Sequence, residues 1–473
     1  MVKAYRDMAL YASAELLFKA TPVVIVPFLL RAISPSEFGM IELFLTVFAG
    51  FLGVLGLGAG SAIHRYYYDE GCAECDRQSI VVSSLFCVLI SSVFFSIIFF
   101  LVFDGFVAYL DVTVDRETKL CLYAYALFSL YSQVLLDLVR VGRRVASYLL
   151  AAGVSKILGP ILALLFVVNF SSGPPGYFLA LALAAAAGFF AAFYFAFPLL
   201  SGGVARRKNI LLVLAYGWPF AMMAPLQWAI SGFDRFFLAK EAGLEVMGGY
   251  ALAAKFSFVG VALFSAFLAA WGPAAFRYRN SGEAVFRVVH ELVYACLTFV
   301  FFVGLASVAV LGRWFFDVLF PADYSGSVVY LVLLVYGAVV PLISASLYAY
   351  ISLSGRTYVF LIITLIGGVG SLVLNYILID LYGGVGAAAA VALVGGLLFY
   401  LNLFFCFKSG APMPPFYFSS LKFLCLFMIF ISVLFGGIFE YLLLAFCAVG
   451  GVLAFRRVYH LAFNNKQMLS SIG

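Results

Sequence analysis

Long apolar stretches, separated by short clusters of charged and turn-forming residues, recur along the chain from Met8 to Phe455. A helix needs about 20 mostly apolar residues to cross a bilayer. Stretches such as Ile80 to Val102 are continuously apolar, whereas the strands of a membrane barrel alternate between apolar and polar residues. The pattern therefore predicts an all-α polytopic membrane protein.

The limits of the apolar stretches predict about fourteen transmembrane helices. Their approximate spans are 8–31, 40–63, 79–103, 119–139, 145–169, 176–199, 210–239, 246–273, 288–311, 327–353, 357–380, 384–407, 419–438 and 441–456. Residues 419–456 are barely long enough to cross the bilayer twice, so twelve full spans followed by a re-entrant hairpin are the alternative. With either count, both termini lie on one side of the membrane.

Composition supports a membrane location and excludes several function classes. Hydrophobic residues make up 65% of the chain and charged residues 11%, against roughly 25% charged residues in soluble domains. The formal net charge of +6 comes from basic residues scattered between apolar stretches, which argues against a nucleic-acid-binding domain. Only short loops remain outside the membrane, too short for an extramembranous catalytic domain.

Lysine and arginine accumulate in the cytoplasmic loops of membrane proteins, and this bias predicts the orientation. One set of loops carries Lys3, Arg6, Arg65, Arg77, Arg140, Arg143, Arg144, Arg206, Arg207, Lys208, Arg277, Arg279, Arg287, Arg356, Lys408, Lys422, Arg456, Arg457 and Lys466. The opposite set carries only Arg31, Arg116, Lys119, Lys240 and Arg313. Both termini are therefore predicted to be cytoplasmic.

A weak internal repeat relates the two halves of the chain. Residues Phe38–Leu43 align with Met247–Leu252, and Arg65-Tyr66 corresponds to Arg277-Tyr278. Two lobes of six helices are implied, related by pseudo-two-fold symmetry about an axis along the membrane normal, with the substrate site between them. We expect an N-terminal lobe at 1–208, a C-terminal lobe at 209–408, and an additional helical pair with a cytoplasmic tail at 409–473.

Three lysines lie inside predicted spans, where a charged side chain is costly unless it faces protein or water. Lys19 follows Glu15 by four positions, so both lie on one helix face. In one interpretation, Glu15 and Lys19 form a structural ion pair. In the other, Lys19 and Lys255 line a cationic cavity for an anionic substrate. Lys156 either extends its stem toward water or joins that cavity.

Acidic residues inside or near the spans are candidates for gating or ion coupling. Asp234-Arg235 lies near the outer end of span 210–239, as a cap, as part of an interhelical salt bridge, or as a gate between lobes. Proton or sodium coupling through Glu15, Asp137 or Asp234 is conceivable, although no spacing identifies the ion.

Prolines, glycines and aromatic residues mark further positions in the spans. Pro22, Pro27, Pro219 and Pro225 lie in the first and seventh spans, where matching bends suit alternating access. Close helix packing is predicted for Gly56, Gly58 and Gly60. The run His64-Arg65-Tyr66-Tyr67-Tyr68 is either an interfacial anchor or a docking site for a lipid pyrophosphate. Tyr123, Tyr125, Tyr131 and Gln133 form either a cavity wall or packing between helices.

Nothing in the sequence predicts a metal, a nucleotide or an enzymatic site. Cys72 and Cys75 form one C-x2-C pair, but a structural zinc site needs a second ligand pair. No strand precedes the glycines of the second span, as a phosphate loop would require. No large outer loop or carboxylate cluster is available for glycosyl transfer. We therefore predict a transporter without a cofactor.

Three sequence strings carry a resemblance to a known family. They are Ile33-Ser34-Pro35-Ser36-Glu37-Phe38-Gly39, Ser61-Ala62-Ile63-His64-Arg65-Tyr66-Tyr67-Tyr68-Asp69-Glu70, and Asp234-Arg235-Phe236-Phe237-Leu238 leading to Gly248-Gly249-Tyr250. On these strings the chain resembles the Wzx-type oligosaccharide flippases, over most of residues 1–410. They belong to the multidrug/oligosaccharidyl-lipid/polysaccharide exporter superfamily, together with multidrug and toxin extrusion transporters and lipid II flippases.

The resemblance implies a multi-pass protein of the bacterial inner membrane with a V-shaped cationic lumen. It implies that an undecaprenyl-pyrophosphate-linked repeat unit is moved from the cytoplasmic to the periplasmic leaflet by alternating access, for O-antigen of lipopolysaccharide or for exopolysaccharide. Lys19, Lys255, Lys156 and Arg65 would then contact the anionic headgroup. A polysaccharide polymerase and its chain-length machinery would be partners. The helical pair after Lys408 departs from the twelve-helix pattern and resembles lipid II flippases.

Two other classes compete with this interpretation. A drug or toxin exporter shares the fold, but its usual cationic substrates favour acidic cavities over cavities that contain lysine. A membrane polysaccharide polymerase or ligase needs a positioned base and nucleophile or a metal site, for which the loops offer no room.

Overall fold

The computed structural model describes residues 2–67, 74–142, 145–170, 172–280, 282–356, 358–411, 422, 424–429 and 438–465. Within these residues the chain is helical and contains no strand, so the all-α prediction is confirmed. The helices are α1 (Val2–Leu29), α2 (Pro35–Leu55), α3 (Ala59–Tyr66), α4 (Glu74–Tyr109), α5 (Arg116–Val141), α6 (Val145–Lys156), α7 (Leu158–Phe170), α8 (Gly173–Leu200), α9 (Arg207–Ser231), α10 (Phe233–Glu241), α11 (Gly243–Asn280), α12 (Glu283–Leu319), α13 (Val328–Ala345), α14 (Tyr348–Leu353), α15 (Tyr358–Lys408) and α16 (Ile438–Asn464). A short 3-10 helix, Ala322–Ser327, precedes α13.

Eleven helical segments of the described chain are long and apolar enough to cross a membrane. One of them, α15, contains 51 residues and is divided at Gly383, which has a φ of 55°. A positive φ of this size suits glycine because it has no Cβ. The break falls between the predicted spans 357–380 and 384–407, so those two spans are confirmed. The predicted span 441–456 extends to Asn464 as α16, whose apolar part, Tyr441–Asn464, is long enough to cross the bilayer.

Several predicted spans consist of two helices rather than one. Span 40–63 is interrupted between α2 and α3, where Leu57 and Gly58 have φ values of 47° and 64°. Span 210–239 is interrupted at Gly232, between α9 and α10. Apolar composition predicts that a segment lies in the membrane, but it does not reveal such breaks because the residues on both sides are equally apolar.

The start of α2 shows how one of the sequence strings specifies local structure. The Ser34 side chain accepts a hydrogen bond from the backbone N–H of Glu37 at 3.3 Å, and the Glu37 carboxylate accepts one from the Ser34 N–H at 2.8 Å. Pro35 occupies the first turn. This reciprocal arrangement is a capping box, which satisfies backbone donors that the helix cannot satisfy itself. The string Ile33 to Gly39 is thus a helix start.

The chain forms two compact units, Met1–Gly248 and Gly249–Gly473. In the first unit α5, α6 and α8 enclose a core of small and large apolar side chains, among them Leu138, Tyr148, Ala151, Ala192 and Ala196. Alanines at such contacts allow helices to approach closely. The lobes expected at 1–208 and 209–408 rest on the internal repeat and remain a prediction.

Close approaches also join α2 to the segments that follow α8 in the first unit. A Cβ on Gly39 would lie 2.0 Å from the Leu244 carbonyl oxygen, and one on Gly248 would lie 2.1 Å from the Pro35 carbonyl oxygen. A Cβ on Gly217 of α9 would lie 2.0 Å from the Leu57 carbonyl oxygen. Only glycine fits such backbone contacts, which explains the glycines of two of the three strings.

In the second unit α16 packs along α12. Gly450 faces the ring of Phe302, and a Cβ there would lie 2.9 Å from three ring carbons. Arg457 forms an ion pair with Glu291, to which its Nε donates at 3.0 Å. These contacts show that α16 is seated on α12 by specific interactions as well as by the surrounding lipid.

Candidate functional site

A network of charged and polar side chains centres on Glu15 of α1. The Tyr148 hydroxyl donates a hydrogen bond to Glu15 Oε1 at 2.7 Å, and Lys156 Nζ lies 3.4 Å from the same oxygen. Arg140 Nη2 donates to the Tyr148 hydroxyl and lies 3.8 Å from Glu15 Oε1. Helices α1, α5 and α6 each contribute to this network, so one carboxylate holds together two cations and a phenol from separate helices.

The network continues to a second carboxylate on α5. Asp137 Oδ1 lies 3.7 Å from Arg140 Nη1 and 3.7 Å from His64 Nε2 of α3. Gly60 makes room for it, because a Cβ on Gly60 would lie 2.2 Å from Asp137 Oδ2. Close helix packing at this glycine is thereby confirmed, and its neighbour here is a candidate functional side chain.

The formal charges of the network balance. Two carboxylates, Glu15 and Asp137, face two permanent cations, Arg140 and Lys156. The side chains are partly exposed, with 34% for Glu15 and 41% for Lys156, so each ion retains some access to solvent or to a ligand. An anion that binds Arg140 or Lys156 must therefore compete with a carboxylate already in place.

The remaining predicted cationic residues lie in different surroundings. Lys19 has an exposed side chain on α1, one turn from Glu15. The Arg65 guanidinium lies over the ring of Tyr216 of α9, 5.3 Å from its centroid, which is a cation–π geometry. Lys255, in the second unit, has a partly buried side chain on α11. The proposed shared role of Lys19 and Lys255 remains a prediction.

A second polar cluster lies where α10 meets α2 in the first unit. Arg235 Nη1 donates to Thr46 Oγ1 at 2.6 Å and lies 3.9 Å from Glu42 Oε2. Asp234 is buried, and its Oδ1 accepts from the backbone N–H of Arg235 at 2.8 Å. Trp228 Nε1 donates to the Thr46 carbonyl at 2.8 Å. This is the geometry of an interhelical salt bridge with local capping.

Two of the three tyrosines predicted to line a cavity form hydrogen bonds with a neighbouring helix. The Tyr131 hydroxyl lies 2.7 Å from Ser92 Oγ, and the Tyr123 hydroxyl lies 2.6 Å from Ser96 Oγ. Both serines belong to α4, so these pairs connect α4 with α5. Interhelical hydrogen bonds of this kind stabilise helix packing in lipid, which favours the packing interpretation.

Sequence reasoning counted Lys422 among the cytoplasmic loop cations, although the predicted span 419–438 includes it, and the structure places it on a helix instead of a loop. Lys422 is fully buried. Its ammonium donates to the Tyr294 hydroxyl at 3.0 Å and to Thr298 Oγ1 at 3.1 Å, and it lies 4.9 Å from the centroid of the Phe399 ring. Nearby turn residues suggested a loop, whereas hydroxyl partners from α12 make burial of the amine tolerable.

Sequence reasoning also missed Tyr148 and the role of Arg140, which it counted only as a loop cation. One signal was present, since Asp137 and Arg140 are spaced i,i+3 and therefore share a helix face. For Tyr148 there was no signal, because its partners come from α1 and α5. No group of metal-ligating side chains is found in the part of the chain that the structure describes. Cys72 lies outside the described residues.

Comparison with solved structures identifies the fold. A multidrug resistance MATE family transporter of the MOP superfamily, in an inward-facing conformation, matches with a TM-score of 0.68 at 15% identity, covering 84% of this chain and 98% of that chain. The lipid II flippase MurJ, in an inward closed conformation, matches with a TM-score of 0.65 at 15% identity, covering 98% and 100%. No curated protein sequence matches this chain significantly.

These similarities show that the chain has the multi-pass helical fold of these two transporters. A sequence-family model described as polysaccharide biosynthesis protein matches residues 4–279, which is more than half of the chain and includes every member of the Glu15 network. The chain therefore belongs to the polysaccharide biosynthesis protein family and has a membrane-transporter fold.

Proposed function

We propose that this protein is a flippase that moves an undecaprenyl-pyrophosphate-linked oligosaccharide from the cytoplasmic to the periplasmic leaflet of a bacterial inner membrane by alternating access. The observation that carries the proposal is the Glu15 network, in which Arg140 from the last turn of α5 and Lys156 from α6 lie near one carboxylate in a polysaccharide biosynthesis family member. A pyrophosphate headgroup cannot cross hydrocarbon without a hydrated, cationic path.

The extent of the structural similarity supports a lipid-linked substrate. The MATE transporter covers 84% of this chain, whereas the lipid II flippase covers 98%. The C-terminal helices of this chain are seated on α12 through Lys422, Gly450 and Arg457. The greater coverage by a protein named as a lipid II flippase supports a lipid-linked substrate for this chain.

The balanced charges of the network suggest how ion coupling would work. Arg140 and Lys156 are held by Glu15, and Arg140 also by Asp137. Protonation of either carboxylate, or its capture by sodium, would remove one competing charge and free a cation for the pyrophosphate. Substrate binding and ion binding would then be linked through the same side chains. Asp234-Arg235 lies in the separate cluster with Glu42, whose geometry is that of an interhelical salt bridge with local capping, and its role as a gate remains a prediction.

Complementation of a strain that lacks its own O-antigen flippase tests the proposal, with surface polysaccharide as the measurement. We expect the wild-type chain to restore export and Lys19→Ala/Lys255→Ala to abolish it while the protein remains in the membrane. The matched control is Lys119→Ala/Lys240→Ala, which removes two lysines paired with Asp104 and Asp111 outside the network. Normal export by the first double variant would contradict the shared role of Lys19 and Lys255 in binding the headgroup.

A multidrug exporter is the second candidate, because the MATE transporter has the higher TM-score of the two structures. Cells that express the chain would then resist a cationic dye such as ethidium and would show no gain in surface polysaccharide. Resistance to the dye without restored surface polysaccharide would contradict the flippase proposal and support a multidrug exporter.

A further inference from the structure

An apolar cavity of about 450 Å³ lies inside the second unit, between α11, α12 and α13. Phe256 and Gly260 of α11 and Gly304 and Phe316 of α12 are among its lining residues. Val300 and Leu311, which also line it, are 52% and 54% exposed. The cavity is therefore open at the surface of these helices, which we expect to contact the lipid of the bilayer.

The lining of this cavity accepts only hydrocarbon. Of its eighteen lining residues, Ser307 alone has a polar side chain. The Ser307 hydroxyl donates to the Val303 carbonyl of its own helix at 2.8 Å and is not needed by a ligand. A sugar or phosphate inside the cavity would lose its hydrogen bonds to water and gain none. A hydrocarbon chain would instead gain dispersion contacts with the lining.

The cavity is large enough for one acyl chain of ordinary length. A chain carbon takes up about the volume of a liquid water molecule, roughly 30 Å³, so a cavity of about 450 Å³ has room for at least one such chain. A polyprenyl tail is several times longer, and most of it would remain outside.

Two cations are next to lining residues of the cavity in the sequence. Arg313 is exposed and directly follows Gly312 near the C-terminal end of α12, and Lys255 is partly buried and directly precedes Phe256 of α11. This end of α12 is the predicted outer side of the membrane, where positive residues are few. A guanidinium binds a lipid phosphate by charge-assisted hydrogen bonds. Of the two cations, Arg313 is the more exposed and is the candidate partner of a lipid headgroup.

We infer that this cavity is a binding site for an anionic phospholipid, with one acyl chain between α11, α12 and α13 and the phosphate on Arg313. The site is formed by the second unit alone and does not involve the Glu15 network. Its test does not require transport activity.

The test measures lipid retention on the purified full-length protein by native mass spectrometry, after exchange into nanodiscs of phosphatidylglycerol and phosphatidylethanolamine and gentle release. We expect one phosphatidylglycerol to remain on the wild type. Gly304→Phe should lower its occupancy at least fivefold, because a Cβ at Gly304 meets no atom within 4 Å and its side chain is free to fill the cavity. Arg313→Gln should lower occupancy several-fold.

The matched control is Gly105→Phe on α4, another helical glycine whose Cβ would meet no atom within 4 Å and which lines no described cavity. Its lipid occupancy should equal that of the wild type. Equal occupancy in Gly304→Phe and the wild type would overturn the site. So would equal retention of phosphatidylethanolamine, which has no net charge, or displacement of phosphatidylglycerol by an equimolar polyprenyl phosphate. A folded Gly304→Phe protein is verified by an unchanged elution volume.

Discussion

Corresponding grooves in the two units differ greatly in volume. The groove of the first unit, between α2 and α4, has a volume of about 80 Å³, against about 450 Å³ for the cavity between α11, α12 and α13. The alignment that pairs Gly39 with Gly248 also pairs Phe51 with Gly260, and both line their respective grooves. Phenyl rings fill the first groove, since Phe51 packs against Phe95 with ring centroids 6.2 Å apart.

The lysines of the two units also differ in their partners. In the first unit, Lys156 is held by the carboxylate of Glu15. In the second, the Lys422 ammonium is held by hydroxyls and aromatic rings. The first unit thus holds a lysine whose carboxylate partner a ligand could replace. The second unit holds the larger apolar cavity. Duplicated helices can keep their arrangement while their side chains take on different chemistry.

Replacing each of these two lysines by methionine gives the largest expected contrast. Lys156→Met removes one of the two cations on Glu15, and we expect export in the complementation assay to fall at least tenfold, equivalent to about 1.4 kcal/mol. Lys422→Met should keep export within twofold, because an apolar side chain of similar volume can replace a buried polar one at little cost.

Lys156→Arg restores the charge and should recover most of the export, and immunoblots of membranes verify equal protein amounts. Loss of export in Lys422→Met with normal protein levels would show that the contrast between the two units is wrong.

A smaller effect is expected where α16 is seated on α12. Gly450→Leu places a side chain against the ring of Phe302, which a Cβ would already approach to 2.9 Å. Overpacking of this kind costs about 1–3 kcal/mol. Thermal unfolding in detergent should therefore begin at a lower temperature than in the wild type. Gly451→Leu is the control, because the nearest atom to a Cβ there is 4.0 Å away. Equal thermal stability of the two variants would contradict the close seating of α16.

The smallest effect is expected from opening the groove of the first unit. Phe51→Gly removes a ring that is 47% exposed, so the loss of stability should be about 1–2 kcal/mol, below the range for fully buried rings. If ring size alone separates the two grooves, the variant should retain one more lipid in native mass spectrometry. Phe197→Gly, at an exposed ring outside this groove, is the control. If Phe51→Gly retains no more lipid than the wild type, the helices of the first unit have moved together and filled the volume that the Phe51 ring occupied.

The fold was predictable from the sequence because each membrane span carries its own apolar signal. The break at Gly383 was predictable too, since Asp380 and two glycines interrupt the run. The candidate site was only partly predictable. Glu15, Asp137 and Lys156 attract attention as ions in apolar spans, but which ions meet depends on the rotation of α1, α5 and α6 about their axes. Lys422 was misplaced because its partners lie more than 120 positions earlier, on α12.

The contacts of Lys422 have a consequence for biogenesis. A lysine within an apolar segment raises the free energy of inserting that segment into the bilayer alone. The hydroxyls of Tyr294 and Thr298 belong to a helix synthesised earlier, so they are already in the membrane when the last helices leave the ribosome. Insertion of the C-terminal pair therefore depends on prior placement of α12, and the same pair produced as a separate fragment would enter the bilayer poorly.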